Sequence, residues 1–172
     1  MSRSYPLAMS GRVLRALIYM NWIAGLLIFA LLVGSLLAEA QVMGALGARP
    51  ADGNAQRILG MRQIMVLGIL SVPLAHIVLS RLLAIVGTVS GGDPFVAENA
   101  GKLRTIAWSV LGLELLHVAV GVVAAIASSE SAPLDINWSF SLTRWLAVLL
   151  LFVLASVFEH GARLREDLEG TV

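Results

Sequence analysis

Four long apolar runs, separated by short polar connections, make up most of this chain and leave it very few architectures. No charged side chain lies between Arg15 and Glu39, and His76 is the only titratable group between Arg62 and Arg81. A third run, from Thr105 to Ser129, is interrupted by Glu114 and His117, and a fourth, from about Ile136 to Phe158, carries Arg144 near its start. Each reaches the roughly 18–20 residues that a helix needs to cross about 30 Å of hydrocarbon at 1.5 Å per residue. In lipid only helices and closed barrels satisfy their own backbone hydrogen bonds, and the runs lack the period-two alternation of barrel strands. The sequence therefore predicts an all-α polytopic membrane protein. Its four transmembrane helices, about 13–37, 63–89, 103–128 and 138–160, form an antiparallel bundle in one domain over 1–172, followed by a short tail, 161–172.

With 58% hydrophobic and 13% charged side chains, the chain lies far from the roughly 25% charged residues of soluble domains. Four spans and their loops leave too few residues for a separate soluble domain. The Lys and Arg residues are scattered and form no basic stripe, so direct nucleic-acid binding is not expected. Cysteine is absent, which removes disulfides, thiolate metal sites and thiol catalysis without fixing a compartment. Arg12 and Arg15 before an apolar run, with Ala38-Glu39-Ala40 after it, resemble a secretory signal. The run of about 23 residues exceeds the roughly 7–15 of a signal core, so an uncleaved first helix is expected.

With the N-terminus inside, eight basic residues (Arg3, Arg12, Arg15, Arg81, Lys102, Arg104, Arg163 and Arg165) fall on the inner side, against four outside: Arg49, Arg57, Arg62 and Arg144. This bias predicts both termini on the inner, cytoplasmic side of the membrane. Trp138 and Trp145 would mark the outer entry of the fourth span and Trp108 the inner entry of the third.

The outer connection Ala38–Met61, with Gly44, Gly47, Pro50 and Gly53, reads as an extended loop turning near residues 50–53. Pro73 removes a backbone donor within a turn of His76. The inner connection is the most patterned. Asp93-Pro94 suits a helix N-cap and first position, with Phe95 and Leu103 facing lipid or bundle while Glu98, Lys102 and Arg104 stay wet. Beyond the fourth span, Leu164 and Leu168 lie four apart, as in a short amphipathic helix.

Two motifs carry a family likeness. The inner connection reads Gly92-x-Pro94-Phe95-x-x-Glu98-Asn99-x-x-Lys102-Leu103-Arg104, with Asp93 between the first two. The C-terminal segment reads Phe158-x-x-Gly161-x-x-Leu164-x-x-Asp167-x-Glu169-x-Thr171-Val172. Together they resemble a bacterial membrane family catalogued as domain of unknown function 2975, over nearly the whole chain; Gly170 stands where the family usually has a bulkier residue. The resemblance implies a bacterial cytoplasmic (inner) membrane protein without known enzymatic activity, and no cofactor is expected. It also implies an association with small Cro/CI-type helix-turn-helix regulators, and hence a role in regulating transcription.

The residues themselves offer a second candidate site, since a charge at mid-bilayer costs about 2.5–3.5 kcal/mol on insertion scales. Counted from the inner helix ends at 1.5 Å per residue, Asn21 and Arg81 lie about 12 Å deep, Glu114 about 16 Å, and His76 and His117 about 20 Å. Glu114 and His117 share a helix face. Three readings are open: an Arg81–Glu114 compensated pair with neutral histidines fixing register, a proton- or ligand-responsive site, or a metal or haem site. Gly121-x-x-x-Ala125 is a small-residue pair suited to close helix packing, within the bundle or in a homo-oligomer. His160 beside Glu159 reads as an interfacial anchor. No phosphate loop, nucleophile elbow or zincin motif is present. The reading that combines these features is a non-enzymatic regulatory membrane protein docking a cytoplasmic regulator; the alternative is a small transporter or a haem or metal redox protein built on the intramembrane cluster.

Overall fold

The computed structural model describes residues 4–47, 55–90, 96–128 and 138–169, with side chains placed from Met9 to Arg165 within those ranges. All the described secondary structure is helical: α1 (Ser4–Leu37), α2 (Glu39–Ala45), α3 (Ala55–Ser90), α4 (Ala97–Ala127) and α5 (Leu142–Glu169). Helices α1, α3, α4 and α5 are long and apolar enough to cross a membrane, as a multi-pass membrane protein requires. Only 6% to 11% of their most apolar stretches is buried against other parts of the chain. Few of these residues are enclosed by the chain itself, and apolar surface is left for lipid.

The apolar runs mark membrane thickness, not helix length. At 1.5 Å per residue, the 36 residues of α3 span about 54 Å. It begins eight residues before the predicted start at Gln63 and continues through Pro73. The outer connection is correspondingly not an extended loop as far as Gly47. Glu39-Ala40-Gln41-Val42-Met43 are adequate helix formers, and their short helix buries Met43 completely against Ile58, with Met61 alongside. Gly47 then adopts a left-handed φ of 82° and its N–H bonds to the Gly44 carbonyl, closing α2 as a glycine C-cap does. The turn expected at residues 50–53 lies outside the described residues. In the fourth span Trp138–Ser141 are irregular and the helix starts at Leu142; the predicted amphipathic extension is an unbroken continuation of α5.

The chain forms two compact units: Met1–Asn21, Leu74–Leu113 and Ser141–Val172 make one, Trp22–Pro73 and Glu114–Phe140 the other. Within the second, α1 approaches α3 through Gly25, where a Cβ would lie 2.8 Å from Val72 Cγ2. Small residues at such points let backbones close in when no hydrophobic effect drives helices together in lipid. Within the first, Leu103 and Ile106 of α4 bury against Ala155 of α5, with Val78, Leu82 and Phe158 around them.

Candidate functional site

Both patterned segments fall in the first unit, and there they pack on each other. Helix α4 opens after Val96, whose carbonyl accepts the Asn99 N–H at 2.9 Å, and Glu98 in the first turn complements the positive end of the helix. Asn99 is fully buried and heads a polar chain: Lys102 Nζ donates to Asn99 Oδ1 (3.2 Å), Asn99 Nδ2 to Thr88 Oγ1 (2.8 Å), and Thr88 Oγ1 to the Ile85 carbonyl (2.8 Å). The end of α3 is thereby tied to the start of α4. Lys102, expected to stay wet, is only 6% exposed; the polar chain and Glu98 Oε1 at 3.1 Å make its burial tolerable. Leu103 faces α5, and Arg104 is exposed.

On α5, Phe158 packs against the Leu103–Ile106–Ala155 cluster, Gly161 is half-buried, and Leu164 is 65% exposed. Glu159 accepts a hydrogen bond from Arg163 Nη2 at 2.7 Å, one turn along. His160 Nδ1 lies 2.9 Å from the Ser156 carbonyl of its own helix. Between the two segments lies a groove of about 380 Å³, floored by Gly101, Phe152 and Ala155 and rimmed by Arg104, Glu159 and Arg163. Gly92, Asp93, Pro94, Phe95, Thr171 and Val172, including the proposed Asp93-Pro94 cap, lie outside the described residues; Asp167 and Glu169 are within α5.

The intramembrane residues are divided between the units. Asn21, His76 and Arg81 belong to the first, Glu114 and His117 to the second. Asn21, His76 and Glu114 are half-buried and each is engaged with another group. Arg81 is exposed. It stands two residues from Leu83, whose side chain lies 3.9 Å from a Cβ built on Gly11, so Arg81 is near the level of Arg12 and Arg15. All three point outward, as arginines do when they reach for headgroups. His117 stacks on Trp138 with centroids 5.9 Å apart, and its carbonyl accepts the indole N–H at 2.8 Å. The indole lies over Gly121, so this glycine of the small-residue pair seats a tryptophan; a helix packed there would have to displace the ring. Among the described residues no three His, Asp or Glu side chains come together as a metal site needs.

Sequence reasoning missed a further polar centre, in the second unit. Arg62 donates from Nη2 to the Ser35 carbonyl and to Glu39 Oε2 (2.7 Å), and from Nε to Ser35 Oγ (3.3 Å). Ser35 is within the last turn of α1, where carbonyls have no helical partner, and the guanidinium satisfies one while pinning α2. Nothing in the spacing of Ser35, Glu39 and Arg62 announced this, because it depends on the break at Ala38. Arg62→Leu is expected to destabilise by about 1.5–3 kcal/mol, the range for hydrogen bonds to charged groups. Glu39→Gln should cost less, since that carboxylate is 43% exposed. Thermal melts in mild detergent, compared across the two variants, check the ordering.

The family described as Protein of unknown function (DUF2975) matches residues 19–172. The chain belongs to this family. The matched region takes in every described DUF2975 motif residue, the polar chain and the groove. No curated protein and no solved structure matches the chain.

Proposed function

We propose that this DUF2975 protein is a non-enzymatic regulatory membrane protein that captures a small helix-turn-helix transcription regulator at the cytoplasmic face of a bacterial inner membrane. The observation that carries this reading is that Leu103 of the inner motif and Phe158 of the C-terminal motif pack on one apolar cluster, with Ile106 and Ala155, in one unit. Motifs widely separated in sequence converge there, as the parts of a docking surface must. The eight-to-four distribution of basic residues supports an inside location for that face and for both termini. Short connections between successive spans support an antiparallel bundle. The extension of α5 to Glu169 supplies the docking element, with Leu164 exposed at 65% beside charged neighbours.

The test is co-purification of a genetically linked regulator with the full-length chain and with a chain ending at Gly161. Truncation is expected to abolish capture and alter expression of the regulator's targets, while the melting behaviour of the remaining bundle changes little. Unchanged capture by the truncated chain refutes docking through α5.

A further inference from the structure

We infer that the groove between α4 and α5 binds an anionic phospholipid, its phosphate held at Arg104 and Arg163 and its first acyl carbons over Phe152 and Ala155. The groove is polarised the way a phospholipid is. Arg104 is the last charge before the apolar run of α4, and Glu159 is the first after that of α5, so the rim marks the boundary between water and hydrocarbon on both helices. Phe152 and Ala155 lie on the apolar side of that boundary, and Phe152 is braced edge-on by Trp108 at 5.2 Å and 84°. Trp108 is itself 61% exposed, as aromatic residues are at membrane interfaces.

Charge fixes the headgroup class. The rim holds two guanidiniums and one carboxylate, a formal balance of +1, and Glu159 is already matched by Arg163 at 2.7 Å. Arg104 is exposed where it lines the groove, and its planar donor fork suits a phosphate. Basic pockets between transmembrane helices have this complementarity for anionic headgroups. About 380 Å³ is within the roughly 300–1,000 Å³ of small-ligand sites. It accommodates a headgroup and the start of a chain, and the remainder of the lipid lies along the exposed helix faces. The floor is kept open by Gly101, where a Cβ would meet nothing within 4 Å.

That opening supplies the decisive variant. Full-length protein in maltoside detergent, stripped of lipid, is titrated with phosphatidylglycerol, with phosphatidylcholine of equal chain length, and with inorganic phosphate, reading the melting midpoint and the bound mass by native mass spectrometry. Phosphatidylglycerol is expected to bind and raise the midpoint; the other two are not. Gly101→Leu, which fills the groove without a clash at Cβ, should abolish the response while the lipid-free variant melts no lower than the parent. Arg104→Gln should weaken phosphatidylglycerol binding about tenfold, the scale of one charged hydrogen bond. Equal responses to phosphatidylcholine or to inorganic phosphate would overturn the assignment, as would a phosphatidylglycerol response unchanged in both variants.

Discussion

Asn99→Ala is expected to lower the stability of the detergent-solubilised protein by about 2–3 kcal/mol, among the largest effects of any single polar substitution in this chain. The side chain is fully buried and stands between Lys102 Nζ and Thr88 Oγ1, so its removal takes a partner from both. Thr88 keeps the Ile85 carbonyl, but among the described residues Lys102 keeps only Glu98, whose side chain is 74% exposed. A 6%-exposed ammonium deprived of its buried acceptor carries the greater part of the loss. Asn99→Ala combined with Lys102→Met should therefore be more stable than Asn99→Ala alone. Equal melting of the single and double variants would show that the ammonium does not depend on Asn99.

Gly121→Leu is expected to cost a further kind of energy, that of overpacking, at about 1–3 kcal/mol. An added Cβ would fall 2.5 Å from Trp138 Nε1 and 2.6 Å from Cδ2, so the indole has to leave its seat. With it go the 2.8 Å bond to the His117 carbonyl and the ring stack on His117. Because both costs pass through one ring, they do not add: in a Trp138→Ala background the same glycine substitution should cost little. A tryptophan emission shift in Gly121→Leu, absent once Trp138 is removed, reports the displacement directly.

The parts of the fold that the sequence disclosed are those governed by lipid. Runs such as Arg15–Glu39 and Arg62–Arg81 indicate where hydrocarbon begins and ends, and four helices follow from backbone hydrogen bonding together with the lack of period-two alternation. The two motifs were also legible, and the packing of Leu103 and Ile106 near Phe158 gives them a common location. What escaped was decided by neighbours in space. Lys102 reads as a wet residue until Asn99 and Thr88 are seen beside it, and Arg62 reads as a loop charge until α1 breaks at Ala38 and leaves the Ser35 carbonyl for it. Gly121-x-x-x-Ala125 has the spacing of a packing motif, but a tryptophan seventeen residues later occupies the surface. The outer helix α2 was hidden by Gly44 and Gly47, of which only the second needs a glycine's backbone freedom.

The polar chain from Lys102 to Ile85 also governs the rotational phase of α4. An apolar helix among apolar neighbours turns or slides at little cost, since one leucine replaces another and lipid fills the remainder. A slip of one residue rotates a helix by about 100°. For α4 that would swing Leu103 and Ile106 away from Ala155 and draw Asn99 off Thr88. The apolar residues thus hold α4 in the membrane, while three polar side chains, on Thr88, Asn99 and Lys102, dictate which of its sides looks at α5.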